Sequence, residues 1–338
     1  MLGYAVRMRA LLRTLLAASL LWVAPVAAQT VQSPPSPETI LAEFKISEAD
    51  KQRVLNGEFV SAVIPEVSER DLSNSFVFLA KITPEALAKQ LVEGQLTSGD
   101  PQVKAFGILR GEGNPADMSG LTLSEAQAQA FAKARRGSAL NLATSEITAF
   151  NAVPAGDRAA VQRTLQEVLL GRYRAYRDGG LTSITPYDRG GSTTDVAGDL
   201  RKATESFTVM KKYLPAFYAM LLDYPKAREA QARERFFWAI YDVNGTPTYV
   251  LTHVMTVNDG ANRVFASRQY YVSQGYNTEQ ALGGFLPVQG GTIVIYGAHA
   301  FTDQVAGMGG SLKRGIGRRV MAEKLREMFE ANRKRIER

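Results

Sequence analysis

The 338-residue chain contains no cysteine, and this absence excludes several kinds of site at once. Without thiols the chain cannot form disulfides, use a thiolate nucleophile, hold zinc through cysteine or carry a lipid on a lipoprotein cysteine. Its stability must come from a packed core, and a chain of this length can bury one.

Histidine is almost as scarce, with only His253 and His299. Each alternates with apolar residues, so each is expected either to be a hydrogen-bonded core residue or to act on a ligand in a cavity. No third ligand at metal spacing lies near either histidine in the sequence, so we predict no metal and no cofactor. The sequence also lacks a Gly-x-Ser-x-Gly elbow, a Walker loop and a strand-linked dinucleotide fingerprint, and we predict no catalytic residue.

The N-terminus has the pattern of a secretory leader. Arg7, Arg9 and Arg13 precede the apolar run Leu15–Val23, and Val26-Ala27-Ala28 fits the small-residue cleavage pattern. We therefore predict a signal peptide over residues 1–28, with an uncleaved anchor as the alternative. Export without cysteine favours a periplasmic or secreted bacterial protein.

The remaining chain is predicted to form one domain. Residues 29–45 read as a Pro-rich linker and a first helical turn, because prolines 34, 35 and 37 stiffen an extended segment. Residues 46–338 are predicted to form a single domain, in which 118–232 is a large helical insert. Alanine-rich and amphipathic periodicity, with caps such as Asp157, predicts the helices of the insert.

The last hundred residues contain the strongest strand patterns. Phe236–Val243 is rich in aromatic and β-branched residues, and Asn244-Gly245 favours a tight hairpin turn. Thr248–Val257, Arg263–Ser273 and Thr292–Phe301 are predicted as further strands. We expect the glycine-rich stretch between the last two strands to be a long connection.

One face of the predicted strands is bulkier and more apolar, and we assign it to the interior. On Thr248–Val257 this face carries every second residue from Tyr249 onward. Aromatic side chains with a polar end can line a pocket for a flat or amphipathic ligand, although they can equally serve ordinary sheet packing. The candidate ligand-binding residues are Tyr249, His253, Met255, Tyr271 and Tyr296.

A basic amphipathic helix is predicted from an N-cap at Ser311 to Ile336. Its apolar residues recur every three to five positions and predict a stripe that docks on the sheet. The stripe comprises Leu312, Ile316, Val320, Leu325, Met328 and Phe329. The Lys and Arg residues form either a solvated face or a surface that contacts anionic membrane transiently, and we do not expect nucleic acid as a partner.

Upstream, a strand ending at Ile82 runs directly into Thr83-Pro84-Glu85, a strong helix start. With the block Phe236–Phe329, the segment Phe76–Leu87 resembles the helix-grip fold of the START-like lipid-binding superfamily. The resemblance implies an α+β fold in which a curved antiparallel sheet grips the long C-terminal helix around a hydrophobic cavity. The stretches Arg172–Tyr176 and Thr302–Gly307 are also similar to a group of exported bacterial proteins.

Three functions are compatible with these patterns. The leading hypothesis is a periplasmic, non-catalytic protein that binds or transfers a lipid or another hydrophobic small molecule in the helix-grip cavity. The second is a hydrolase or cyclase that uses the same cavity with His253 as base, and the third is a structural or assembly protein of the envelope. A cavity smaller than about 300 Å³ would favour the third hypothesis, since ligand pockets usually exceed that volume.

Overall fold

The computed structural model describes residues 34–62 and 64–337, so the predicted signal peptide and the first residues of the linker lie outside it. Eight of the strands form one antiparallel sheet in the order β1-β2-β10-β9-β8-β7-β6-β3, and β4 and β5 form a separate pair. The strands are β1 (Val60–Ala62), β2 (Asp71–Ala80), β3 (Val103–Leu109), β4 (Tyr187–Asp188), β5 (Thr193–Thr194), β6 (Arg233–Val243), β7 (Thr246–Asp259), β8 (Asn262–Val272), β9 (Thr278–Val288) and β10 (Gly291–Phe301).

Helices cover both faces of this sheet, and the predicted α+β class with a long C-terminal helix is confirmed. The helices are α1 (Pro37–Glu43), α2 (Glu48–Leu55), α3 (Pro84–Val92), α4 (Gln95–Ser98), α5 (Glu125–Ala132), α6 (Thr144–Asn151), α7 (Arg158–Gly179), α8 (Val196–Ser206), α9 (Thr208–Tyr213), α10 (Pro215–Asp223) and α11 (Gly310–Ile336). In the part of the chain that the structure describes, none of these helices combines the length and apolarity needed to cross a membrane.

The sequence signals for one turn and two helix caps are confirmed. Asn244 and Gly245 both adopt positive φ in the tight turn between β6 and β7, as predicted for this pair. Thr83 caps α3 by accepting a hydrogen bond from the backbone N–H of Ala86, and Asp157 caps α7 in the same way.

The stretch predicted as a long connection before β10 is instead the strand β9, which pairs with both β8 and β10. Its glycines misled the prediction because they were read as turn residues. A Cβ on Gly283 would collide with the carbonyl oxygen of Ile295 in β10, so this glycine permits close strand pairing rather than a bend.

The two faces of the sheet have different covers. We call the face under α3 and α11 the helix face, and its core contains Phe78, Phe265, Phe285 and Tyr296. The opposite face, here called the insert face, packs against α1, α2 and the helices of the insert. Tyr249, Leu251, Met255 and Tyr271 share one core with insert residues such as Tyr173 and Leu200.

The predicted apolar stripe of the C-terminal helix is packed against the sheet only in its C-terminal half. Leu325 is buried, and Met328 and Phe329 pack against the helix face, as predicted. Leu312, Ile316 and Val320 are instead 73%, 58% and 44% exposed, so the N-terminal half of the predicted stripe faces solvent. The cap also differs from the prediction, since α11 follows Gly309 in a left-handed conformation and not Ser311.

A break in the insert has consequences for the site. The helical stretch that starts at Val196 is interrupted, because α8 ends at Ser206 and α9 begins at Thr208. Between them Phe207, with φ −82° and ψ 68°, leaves the helical conformation and turns the chain. The turn brings Ser206 and the following residues to the insert face of the sheet beside β9 and β10.

Candidate functional site

A cavity of about 370 Å³ lies between the insert face of the sheet, α1 and the turn between α8 and α9. We call it the insert pocket. Its walls are mostly apolar side chains from the sheet and from both helical covers, and its volume is in the range of small-molecule sites. The apolar lining includes Ile40, Phe44, Phe207, Met210, Leu214, Val264, Leu282, Leu286 and Ile295.

Polar groups occupy the rim of the insert pocket. The carboxylate of Glu43 accepts hydrogen bonds from Lys212 and from the Tyr213 hydroxyl, and both bonds lower the pKa of Glu43. Asp259 and Asn262 line another part of the pocket, where the Asn262 side-chain amide donates to the carbonyl oxygen of Pro35. An apolar interior with a few polar groups at its edge suits a hydrophobic ligand with one polar end.

Ser206 lies in the lining of the insert pocket and begins a chain of three hydrogen-bonded side chains. Its Oγ is 2.9 Å from Nε2 of His299, and Nδ1 of His299 is 2.7 Å from Oδ2 of Asp71. His299 and Asp71 are fully buried, whereas Ser206 is only partly buried. The three residues come from α8, β10 and β2.

Packing fixes the ring of His299. The Phe207 ring stands perpendicular to the imidazole, with the two centroids 5.4 Å apart. Gly297, two residues earlier on β10, makes this possible, because a Cβ there would lie 2.9 Å from the Phe207 ring. The carboxylate of Asp71 is held in turn by the backbone N–H of Val67, which donates to its Oδ2 over 2.8 Å.

The five residues predicted to bind ligand do not meet in one cavity. Tyr249, His253, Met255 and Tyr271 are buried on the insert face, where they pack against the insert. The Tyr249 hydroxyl donates to the backbone carbonyl of Thr122, so that side chain is anchored to the insert. The ligand-binding role of these four residues stays a prediction.

His253 belongs to a hydrogen-bonded chain within the core. Its Nε2 is 2.9 Å from Oε2 of Glu234, and its Nδ1 is 3.2 Å from the Tyr176 hydroxyl, which also accepts from Arg268. Burial lowers the pKa of His253, although the hydrogen bond to Glu234 opposes that shift. Both ring nitrogens are engaged by protein groups and the ring is fully buried, as in a satisfied core histidine.

Tyr296, the fifth predicted residue, lies on the helix face. It lines the gap between the sheet and α11, whose volume is about 130 Å³. This is below the range of ordinary ligand pockets because Phe78, Phe265, Phe285 and Phe329 fill most of the space. By the volume criterion stated above, the helix-grip gap, where the resemblance places the ligand, therefore favours the structural hypothesis, whereas the insert pocket exceeds the limit.

Two carboxyl groups share the polar end of that gap. Burial, together with the nearby charge of Asp100, raises the pKa of Glu279 to about 7. Burial also raises the pKa of Asp100. The described residues contain no group of three or more His, Asp or Glu side chains placed to hold a metal ion.

Sequence reasoning did not identify Asp71, Ser206 and His299 as a group. His299 was considered alone, as a core histidine or a ligand contact, and no motif marks Ser206. The residues are separated by 135 and 93 positions in the chain, and the seryl and imidazole groups meet only because the insert folds back on β10. A usable signal was the scarcity of histidine, which left two positions to examine.

Comparisons with known proteins assign no function to this site. No protein-family model matches the chain, and no curated protein or solved structure is significantly similar to it.

Proposed function

We propose that the protein binds a hydrophobic small molecule, such as a lipid, in the insert pocket. The single observation that supports this function most directly is a mostly apolar cavity of about 370 Å³, whose lining extends to Ser206 and Val209. Burying about 300 Å² of apolar ligand surface there would contribute on the order of 8 kcal/mol before the cost of association. The proposed compartment is the periplasm, on the basis of the leader pattern.

The ligand is placed on the opposite side of the sheet from the gap implied by the helix-grip resemblance. Residues 206–214 of the insert form one wall of the pocket and α1 forms another. The helical insert and the segment after the linker therefore create the cavity. The sheet and α11 alone do not form this cavity.

A filling substitution tests the site. Gly284 lines the pocket, and a Cβ there would have no neighbour closer than 3.7 Å, so Gly284→Leu adds its side chain toward the cavity without a backbone clash. We expect this variant to bind a fluorescent apolar reporter at least tenfold more weakly than the unchanged protein. Lipid co-purified with the protein, measured by mass spectrometry after solvent extraction, should fall in parallel.

The matched control adds the same side chain elsewhere. Gly171 is an exposed position of α7 where an added Cβ would meet no atom within 4 Å, so Gly171→Leu should leave reporter binding unchanged. Equal reporter affinity in the two variants, with both correctly folded by circular dichroism, would remove the insert pocket as the binding site.

A second proposal concerns the partner of α11. Met308, Leu312, Ile316 and Val320 are spaced four residues apart and are exposed. Between Asp303 and Glu323 the chain has four basic residues and no acidic one. Arg314 and Arg318 share one ion-pair partner, Glu66, so positive charge remains in excess beside the row. An exposed apolar row flanked by excess positive charge is complementary to an anionic lipid surface. We infer that this row contacts the membrane from which a lipid ligand is taken or to which it is delivered.

A further inference from the structure

The chain from Ser206 to Asp71 has the order of groups used in nucleophilic catalysis by serine. A hydroxyl, an imidazole and a buried carboxylate are joined by hydrogen bonds of 2.9 and 2.7 Å. Ser206 lines the insert pocket, and the other two residues are fully buried. This constellation recurs on unrelated folds and is recognised by geometry rather than by sequence position.

The protonation pattern follows from the partners. An ionised carboxylate can only accept hydrogen bonds, so Nδ1 of His299 carries the proton that is shared with Asp71. Nε2 is then left with a lone pair directed at Ser206. The Ser206 hydroxyl can donate to this nitrogen or to the backbone carbonyl of Ala203, whose oxygen is 2.7 Å from Oγ. Rotation of one hydroxyl thus places its proton on the path to the base.

The carboxylate is not neutralised by a cation. The neighbouring Arg70 directs its guanidinium to Asp199 and Asp303, and within the described residues the ion-pair partner of Asp71 is His299. Oδ1 of Asp71 is buried without a hydrogen-bond partner among those residues. A buried carboxylate whose charge is directed to one imidazole stabilises the imidazolium that forms when the base accepts a proton.

We propose that Ser206, His299 and Asp71 form a nucleophilic centre that cleaves acyl esters whose hydrocarbon chain occupies the insert pocket. The inference deepens the proposed function, since the same pocket binds the substrate. Substrates in this class have an ester carbonyl at Ser206 and an apolar chain among Phe207, Val264 and Leu282, which line the pocket with it.

Water is the only co-reactant that the proposed ester cleavage requires. Oγ of Ser206 attacks the ester carbonyl carbon while its proton moves to Nε2 of His299. The bond from that carbon to the alkoxy oxygen then breaks, and the imidazolium returns the proton to the leaving alcohol. Water attacks the acyl group on Ser206, gives one proton to His299 and releases a carboxylic acid as Oγ recovers that proton.

A small organophosphorus probe tests the nucleophile without relying on the depth of the pocket. We expect diisopropyl fluorophosphate to form a phosphoryl bond with Oγ of Ser206 and release fluoride, and peptide mass spectrometry locates the adduct. The purified protein should hydrolyse p-nitrophenyl esters, with a longer acyl chain favoured over acetyl. Ser206→Ala should abolish the adduct and lower the hydrolysis rate by at least 10³-fold, with the circular dichroism spectrum of the folded protein unchanged.

Because the chain has no cysteine, a single introduced thiol can report whether His299 acts as a base or has only a structural role. Ser206→Cys introduces a unique thiol, which an adjacent imidazole converts to the reactive thiolate. At pH 6 we expect iodoacetamide to alkylate this variant at least tenfold faster than Ser192→Cys, which places a thiol on an exposed loop. Adding His299→Gln to Ser206→Cys should remove the difference, provided that circular dichroism shows a folded protein.

The outcomes separate this inference from the proposed function. If Ser206 is not phosphorylated and Ser206→Cys reacts no faster than Ser192→Cys while the reporter still binds, the nucleophilic centre is refuted and the binding function stands. If Ser206 is phosphorylated but Gly284→Leu changes neither reporter binding nor chain-length preference, the centre stands and the insert pocket is refuted as the binding site.

Discussion

Arg268 is a fully buried cation in the middle of the sheet whose partners are neutral. Its guanidinium donates to the side-chain oxygen of Gln280 and to the backbone carbonyl of Leu221, each over 2.8 Å. Further bonds of 3.1 and 3.3 Å run to the hydroxyls of Tyr176 and Thr204. One side chain therefore joins β8, β9, α7, α8 and α10, which makes it a structural link between the insert and the sheet.

Replacing the Arg268 guanidinium by an apolar side chain should destabilise the folded protein. Arg268→Leu would leave the oxygens of Gln280 and Leu221 without donors in the core, and each buried unsatisfied group costs about 1–3 kcal/mol. We expect the free energy of unfolding in urea to fall by about 2–5 kcal/mol, against less than about 0.5 kcal/mol for the exposed control Arg235→Leu. Equal stability would mean that the desolvation cost of the guanidinium outweighs its hydrogen bonds.

Glu279 predicts a particular pH dependence of stability. In the unfolded chain its carboxyl group binds a proton only below about pH 4.3, whereas burial raises the pKa in the folded protein to about 7. Between these values the folded state holds more protons, so this group's contribution to stability is full below pH 4.3 and is lost as the pH rises through 7. Glu279→Gln removes the ionisation.

The comparison of urea unfolding at pH 4.5, 6 and 7.5 tests this sign. The free energy of unfolding of the unchanged protein, measured relative to Glu279→Gln, should fall by on the order of 1–3 kcal/mol across the series. A rise over the same interval would show that the carboxylate is the form favoured by the folded state. Gln52→Glu, an exposed position of α2, serves as a control that adds a carboxylate without burial.

At the level of elements, the exposed half of α11 predicts a membrane effect that is separate from folding. Leu312 and Ile316 contribute nothing to the core, so Leu312→Glu with Ile316→Glu should leave the melting temperature within about 2 °C of the unchanged value. The same change should abolish sedimentation with vesicles that contain phosphatidylglycerol. The converse pattern, with vesicle binding retained and melting lowered, would place these residues in a contact within the protein.

A charge control separates lipid insertion from attraction. Lys313 and Arg319 are exposed, whereas Arg314 and Arg318 form ion pairs with Glu66 at 3.0 and 2.8 Å. Lys313→Gln with Arg319→Gln should weaken binding to anionic vesicles, and added salt should reduce binding of the unchanged protein in the same way. Binding to neutral phosphatidylcholine vesicles should be weak for all variants.

Elements with strong local chemistry could be predicted from the sequence, and those fixed by long-range contact could not. Asn244-Gly245 and Thr83 determine their turn and cap within a few residues, and both are found as predicted. The glycines of β9 allow close pairing with a strand that follows later in the chain, so local rules misread them. The apolar row of α11 shows a further limit, because periodicity identifies an apolar face but not what covers it.

At the level of the whole molecule, the insert and the sheet share one core. Arg172 of α7 forms an ion pair with Glu146 at 2.7 Å, and its guanidinium lies 4.5 Å from the centre of the Tyr271 ring on β8. Tyr176, one turn further, stacks on Tyr270 with ring centres 4.1 Å apart. The stretch Arg172–Tyr176, noticed first as a sequence similarity, is thus a main contact between the two parts.

Because of this shared core, the insert should not unfold independently. We expect the amides of α7 and those of β7 and β8 to exchange with the same free energy of opening in native-state hydrogen exchange, and Arg172→Ala to lower both together. The variant Arg163→Ala, on an exposed part of the same helix, provides the control. Faster exchange of α7 alone would identify the insert as a separate folding unit.

The candidate site illustrates what the sequence leaves open at this scale. The scarcity of histidine reduced the candidates to two. Alternation assigned the face of His253 and Met255 to the interior, and that face is buried, but the opposite face with Thr248 and Val250 is buried too because helices cover both sides of the sheet. The choice between the two histidines depends on tertiary contacts. His253 meets Glu234 and Tyr176 in the core, while His299 meets Ser206 at a cavity, and no local pattern distinguishes the two surroundings.

The pairing of β2 with β10 constrains the order in which the chain can assemble. Apart from the three-residue β1, the neighbour of β2 is a strand that ends at Phe301, some 220 residues later. A nascent polypeptide therefore holds Asp71 and its apolar neighbours without their strand partner until β10 has been synthesised. Folding that depends on such distant strand pairs is slow and leaves apolar segments exposed to aggregation. We therefore expect this chain to depend on holdase chaperones until it has folded.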